Sequence, residues 1–529
     1  MFSKHASSFR SSLLTLCVAS TALVMVLVSI AQLRGNMLGH DQFWYLFAAQ
    51  RVLDGVKLYG PGLSDTNPPL IIWLSTVPDL LARALHLNLI VCFRLLVFLL
   101  LLASIAWCIR LFRRSDAASA KGLWSLLALS VLYVELKILP YDFGQREHLL
   151  VILTLPYLCC VAFQVVSKFS LLERCAIGVA AGVAICLKPQ HALVLVAFEL
   201  AMAIWNRTLR RIMSPELLAM LLTGAIYLAM VRVLTPLYTK EVVPLILDTY
   251  WAYATDTTAS LLHTMEISVA LASALLIGAF FLRRFLIFAL PIVALSACSL
   301  AAVVAYGIQH VDWPYHAYPI DAFLTLAALF LVVDLLRHLA DRLAFVPEIP
   351  LSVAFFTLLT LGCATSILIA KFSPAVISSR SELNQELTQF KTPQTVYIFS
   401  TNLLPFAEVF NQGFSWGSRF PCLWTLPALV QNETGPSVPP SLFKRLPSDK
   451  LAQRSSTQRL QVAEDLNLYR PSVVLVEQCS KRHPCQGLED KDFDMLSWFL
   501  QSPEFASAWS HYQRQPDSPS RFNLYRRVF

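Results

Sequence analysis

A bundle of about eleven membrane-spanning helices followed by an extracytoplasmic α/β domain is the fold class the sequence predicts. Three observations predict it. Of 529 residues, 56% are hydrophobic and 14% charged, against about 25% charged in soluble domains. Apolar runs of about 20 residues, enough to cross a hydrocarbon core of about 30 Å, recur along most of the chain. Beyond about residue 371 the runs give way to short apolar strands among polar segments.

In chain order, the candidate spans fall near 13–33, 90–112, 121–139, 148–167, 174–188, 190–206, 214–234, 264–282, 285–308, 318–338 and 350–370. Lys4 and Arg10 precede the first. It is too long for a signal-peptide core and lacks a clear small-x-small cleavage site, so it reads as an uncleaved anchor. The stretch 69–86 carries Pro78, Asp79, Arg83 and His86 and reads as an interfacial helix. Arg113-Arg114, Arg210-Arg211 and Arg283-Arg284 each follow an apolar run. Counting 69–86 as a span would throw these pairs outside. The eleven-span arrangement keeps them inside, with a cytoplasmic N-terminus and everything after about residue 371 outside.

The chain thus divides into 1–370, the membrane part, and 371–529. In the second part, Thr395–Phe399, Ser472–Val476 and Phe522–Val528 read as strands. Helical patterns cover Arg380–Phe390, Pro405–Phe410, Ala463–Tyr469 and Phe493–Phe499. The segment 430–456, rich in Pro, Ser and charge, reads as a loop. Cys479 and Cys485, in QCSKRHPCQG, suit a local disulfide in an extracytoplasmic tail. The cysteines scattered through apolar runs read as small buried hydrophobes.

Several function classes drop out. The net charge of +8 is spread over short loops, which argues against nucleic acid. The chain has no GxGxxG, P-loop, nucleophile elbow, Cys/His zinc spacing or internal repeat.

The polar residues that remain crowd the outside loops. Asp41 follows the first span and opens an amphipathic stretch; it is either a helix N-cap or a general base at the bundle mouth. In PYDFGQREHLL, Asp142, Arg146, Glu147 and His148 fall within seven positions. Arg146 suits paired hydrogen bonds to a phosphate, with Asp142, Glu147 and His148 as supporting groups; alternatively the four neutralise one another. Lys188 stands before the helix-breaking Pro189, either reaching an anionic headgroup or snorkelling. In QHVDWPYHAYPID, His316 suits a phosphate hydrogen bond, or the segment is an aromatic interface belt.

One order of residues resembles a known family. Asp41 and Tyr45 are followed by an Ala-rich amphipathic stretch, Gly55, Lys57-Leu58-Tyr59, then Asn67-Pro68-Pro69-Leu70 and Trp73. This resembles the first external loop of the GT-C superfamily of polytopic glycosyltransferases, in the branch of the protein O-mannosyltransferases and lipid A aminoarabinose transferases. The resemblance implies a polyprenyl-phosphate-linked sugar donor in the membrane, an extracytoplasmic acceptor and a first-loop acidic base, here Asp41. It also implies a second-loop acidic residue, where Asp142 and Glu147 stand. Arg146, Lys188 and His316 are the candidates to hold the donor phosphate. The acidic pair usual at the loop start is Asp41-Gln42 here, which leaves a divalent cation (Mg or Mn) open. The competing classes are a transporter or flippase of a lipid-linked substrate and a non-catalytic envelope assembly protein.

Overall fold

The computed structural model describes residues 19–30, 38–119, 123–138, 140–254, 257–342, 383, 387–390, 394–436, 442–516 and 521–528. The expected span 350–370 and most of Arg380–Phe390 lie outside them. Of the first expected span only 19–30 is described, and within the described residues the remaining expected spans are largely helical. Among the described residues, four helices are long and apolar enough to cross a membrane: Leu89–Arg114, Pro215–Leu234, Ala289–Ile308 and Pro314–Leu339. The pair Thr258–Thr264 and Glu266–Phe281, bent by 67° at the break, forms either a fifth, broken span or a re-entrant loop. The other helices are shorter, among them Leu123–Leu136, Arg146–Ala162, Leu171–Leu187 and Ala192–Asn206. The last three begin or end where the polar loops turn inward: Gln145 caps one, and Lys188-Pro189 separates the other two.

Small residues set the packing. Gly178 and Gly182 of Leu171–Leu187 lie against Pro215–Leu234, where a Cβ on Gly178 would collide with the Glu216 carbonyl. Ala289–Ile308 packs on Tyr318–Arg342, Glu266–Phe281 and Ala192–Asn206. Outward side chains such as Ile204, Leu228, Val233 and Ile267 are exposed, an apolar surface that lipid would cover. Ion pairs gather at the end where the basic loops were expected: Arg174 on Glu216 (2.8 Å), Arg211 on Glu199 (3.2 Å) and Lys168 on Asp116 (2.9 Å). The Asp41, Asp142, Lys188 and His316 loops meet at the other end.

The C-terminal residues form one five-stranded sheet in the order β2-β1-β3-β5-β4, with β1 Thr395–Phe399, β2 Ser415–Trp416, β3 Val473–Glu477, β4 Tyr512–Arg514 and β5 Phe522–Arg527. β1 pairs parallel with β2 and β3; β5 pairs antiparallel with β3 and β4. The three expected strands fall on β1, β3 and β5. Cys479 and Cys485 are disulfide-bonded. The loop expected over 430–456 is a correction. Leu426–Thr434 and Ser448–Tyr469 are helices flanking a shorter connection. The longer one starts after Pro447, and its buried stripe includes Ser455, Gln458 and Asp465 as well as Val462 and Leu466. A half-polar buried stripe carries little hydrophobic periodicity, so composition alone suggested a loop there.

The sheet region is locked to helix His40–Leu53 and to the turn that follows it. Phe43, Trp44 and Phe47 of helix His40–Leu53 pack on Phe406 and Phe410, with centroids 5.0 to 5.5 Å apart for the three closest pairs. The Ser64 amide donates to the Arg419 carbonyl (2.9 Å) and the Tyr253 hydroxyl to the Thr401 carbonyl (2.9 Å). Asp248, buried, takes Lys444 (3.0 Å), Lys450 (2.7 Å) and Arg454 (3.3 Å).

Candidate active site

Two loops are stitched together around Asp41. The Gly39 amide and the Gln42 side-chain amide both donate to the Tyr141 carbonyl, at 2.7 and 2.9 Å. A Cβ on Gly39 would collide with that carbonyl, and one on Gly144 (φ +82°) would strike the Phe93 ring. The glycines of GHDQ and FGQR thus let the first and second loops close on each other. His148, expected as a supporting site residue, is spent on this closure. Its Nε2 meets the Glu135 carbonyl (2.8 Å) and its Nδ1 accepts from the Gly144 amide (3.0 Å), away from Asp41.

Asp41 lies in the first turn of His40–Leu53 and is 8% exposed. Its carboxylate accepts from Gln145 Nε2 (2.8 Å), faces His40 Nδ1 (3.0 Å) and lies 4.0 Å from Arg146 Nη2. Burial alone would push this carboxyl up; His40, Arg146 and Gln145 together hold it well below the usual carboxylate range. It is an ionised acceptor at any physiological pH. The N-cap alternative is not what forms: Gly39 occupies that position, with no side-chain cap.

Arg146 is fixed by several groups. Its Nη1 donates to Asn67 Oδ1 (2.6 Å), and its guanidinium lies over the Tyr45 ring (5.6 Å), whose hydroxyl donates to Gln145 Oε1 (3.3 Å). Asn67 is held in turn by Asp65, whose Oδ1 accepts from the Asn67 amide (3.0 Å) and Nδ2 (2.8 Å). Asp65 escaped the sequence reading. It sits in a turn, and the Asp-x-Asn hydrogen bonding of such turns was its one available signal. Burial pushes its carboxyl up to about 6 despite the Asn67 bonds, and its Oδ2 has no hydrogen-bond partner among the described residues.

Lys188, Glu147 and His316 meet on the other side of Arg146. Lys188 Nζ lies 2.5 Å from Glu147 Oε1 and 2.9 Å from His316 Nε2; His316 is 3.8 Å from the same carboxylate oxygen. All three are buried. Asp142 is buried near the first-loop end, its carboxyl pushed up to about 8. Burial is the main cause; Glu147 and Asp41 add to it and His40 opposes it.

These groups line two adjoining cavities. One, of about 180 Å³, has Asp41, Asp65, Arg146 and Tyr250 in its wall, closed on one side by Thr401 and Trp424 of the sheet region. The other, of about 390 Å³, has Arg146, Lys188, His316 and Trp313. Arg146, Asn67, Tyr250 and Trp313 belong to both. In the first wall, Trp44 Nε1, Trp424 Nε1, Thr401 Oγ1 and Asp65 Oδ2 are buried without a hydrogen-bond partner among the described residues. Buried polar groups are rarely left so; together they suit a polar molecule. The walls from Thr401 and Trp424 were not readable in the sequence, since they depend on how a segment over 300 residues away docks. Among the described residues no three His, Cys, Asp or Glu side chains group as metal ligands. The carboxylates present face His40, Gln145, Arg146, Asn67 and Lys188, so the described residues do not fit a divalent cation.

The sequence matches no protein-family model and no curated protein. The fold does match solved structures. The crystal structure of ArnT from Cupriavidus metallidurans in the apo state aligns over 97% of this chain and 98% of that one, with a TM-score of 0.56 at 15% identity. The crystal structure of ArnT from the same organism bound to undecaprenyl phosphate aligns over 98% of each chain, with a TM-score of 0.50 at 15% identity. The fold is therefore like that of ArnT, mainly helical with a strand-bearing C-terminal region.

Proposed function

We propose that this protein is a membrane glycosyltransferase that moves a sugar from a polyprenyl-phosphate donor to an extracytoplasmic acceptor. The observation that carries the reading is Arg146 standing between two cavities, with the Asp41 carboxylate on one side and Lys188 and His316 on the other. Undecaprenyl phosphate, the molecule bound to ArnT, is the class of lipid such a cationic pocket would hold. In this reading the chain has eleven spans, a cytoplasmic N-terminus and residues 371–529 as an extracytoplasmic domain.

The chemistry follows from charge. An acceptor hydroxyl oxygen attacks the anomeric carbon while the bond from that carbon to the phosphate oxygen breaks, its electron pair leaving on the lipid phosphate. Arg146, Lys188 and His316 supply preorganised donors where that negative charge develops. Asp41 takes the acceptor proton. One displacement inverts the anomeric centre; a sugar trapped covalently on the protein would refute that part. A second reading gives the proton to Asp65. Its favouring observation is a carboxyl raised by burial to about 6, nearer a working pH than Asp41, with no hydrogen-bond partner for Oδ2 among the described residues.

The test uses purified protein in lipid with a panel of polyprenyl-phosphate sugars, following release of polyprenyl phosphate. Wild-type turnover lost by about 100-fold or more in Asp41→Asn supports the reading. Turnover that survives Asp41→Asn but not Asp65→Asn moves the base. No release from any donor, with or without acceptors, leaves the transporter or assembly readings.

A further inference from the structure

A larger cavity, of about 600 Å³, lies between the first-loop turn at Tyr59–Ser64, the segment 237–245 and helix Ser448–Tyr469. It is separate from the two cavities at Arg146 and shares no lining residue with them. We propose that it binds a neutral, hydroxyl-rich glycan segment of the acceptor. That the glycan belongs to the acceptor rests on the glycosyltransferase reading; that a glycan binds does not.

The wall contributed by the helix is a stripe. Arg454, Thr457, Gln458, Gln461 and Glu464 recur at intervals of three and four residues, so one helical face presents them all to the cavity. Arg454, Gln458 and Glu464 of this stripe bond to Asp248, Thr425 and Arg419. The stripe offers donors and acceptors together, which is what sugar hydroxyls need, since each both donates and accepts. Gln458 is 4% exposed, and its Nε2 has no hydrogen-bond partner among the described residues, although its Oε1 takes the Thr425 hydroxyl. Arg454 Nε is likewise buried without a partner. Both are N–H groups that a ligand oxygen would satisfy.

Charge decides against an anion. The lining has two cations, Arg419 and Arg454, and two carboxylates, Glu241 and Glu464, which sum to zero. The cations are also committed: Arg419 to Asp465 (2.7 Å) and Glu464 (2.8 Å), Arg454 to Asp248 (3.3 Å). A phosphate would meet more negative than free positive charge. Tyr59 and Phe420 add rings for the apolar face of a pyranose. Tyr59 also ties this cavity to the reaction site, its hydroxyl donating to the Asn67 carbonyl (2.5 Å) while the Asn67 side chain receives Arg146.

Saturation-transfer NMR on the full chain in lipid nanodiscs tests this, with maltotriose, chitotriose and mannotriose as probes and inorganic phosphate as competitor. At least one trisaccharide is expected to bind. Gln461→Ala and Thr457→Val, both away from the Gln458–Thr425 bond, are expected to weaken it by about tenfold or more. Asp41→Asn should leave binding unchanged. No trisaccharide binding at about 10 mM overturns the proposal, as does binding that survives both substitutions or that phosphate displaces. Donor turnover is measured in parallel. Trisaccharide binding without turnover keeps this site and removes the transferase reading; turnover without trisaccharide binding does the reverse.

Discussion

Replacing Arg146 is the sharpest perturbation of the proposed chemistry. Its guanidinium is buried, 4.0 Å from the Asp41 carboxylate and 2.6 Å from Asn67 Oδ1, and its Nε has no partner among the described residues. At 4.0 Å and an effective dielectric of about 20, the Arg146–Asp41 attraction is worth ~4 kcal/mol gross, and the net is smaller because both groups are desolvated. Loss of one preorganised donor to a developing oxyanion costs about 2.7–4 kcal/mol, a factor of about 100 to 1,000 in kcat. Arg146→Met should therefore lower kcat for polyprenyl-phosphate release by at least about 100-fold. Arg146→Lys keeps the charge but loses the planar fork, and should fall in between. A second signature follows from sign. Asp41 is held low partly by Arg146, so in Arg146→Met its carboxyl rises. A base works only deprotonated, so any acidic limb of the pH profile should move upward, with His40 and Gln145 still holding Asp41 down. The assay is release at saturating donor from about pH 5 to about pH 8, on protein whose thermal unfolding in lipid has been checked. Turnover by Arg146→Met within about threefold of wild type would refute the reasoning.

Lys188→Met should destabilise the fold by about 3–5 kcal/mol, because it strands the buried Glu147 carboxylate. Adding Glu147→Gln should recover most of that stability without recovering turnover; a double variant that turns over like wild type would make the pair purely structural. Asp142 gives a pH test of burial. Between the ordinary value of about 3.9 and the folded value of about 8, the folded chain keeps a proton that the unfolded chain has lost, so stability falls as pH rises through that window. Asp142→Asn removes this slope. It should raise the unfolding temperature over wild type near about pH 7.5 and leave it equal near about pH 4, and the same gap at both would count against it.

How much of this was legible in the sequence depends on range. Asp41, Arg146, Lys188 and His316 stood out because polar residues at the ends of apolar runs are costly and few. The structure gathers them because those ends all lie at one end of the bundle. Their mutual order was not legible: nothing in FGQREH says that Arg146 and Glu147 turn into the site while His148 turns back to the Glu135 carbonyl. Adjacent positions on a helix point about 100° apart, and only the docked neighbours decide which face is inward. Asp65 was missed because a turn carboxylate looks solvated until Asn67 and the loop close over it. Helix Ser448–Tyr469 was half missed because its inward face recognises polar partners, and hydrophobic periodicity cannot report a face of that kind.

The two carboxylates of the smaller cavity divide the labour that one alone would do badly. Asp41, held far below the usual range, is a weak proton acceptor toward a resting hydroxyl and a dependable fixed negative charge. It suits a reaction in which the proton leaves late, after bond formation to the anomeric carbon has made the attacking oxygen acidic. Asp65, raised to about 6, exchanges protons readily near neutral pH, but its Oδ1 is committed to Asn67 and through it to the placement of Arg146. If Asp65 were the base, each proton it took would weaken the bond that aims Arg146 at the departing phosphate. With Asp41 as base, loss of its charge weakens its attraction for Arg146, but Arg146 keeps the Asn67 hydrogen bond that aims it. Asp41, and not Asp65, can change its charge without loosening Asn67, the hydrogen-bond partner that aims Arg146.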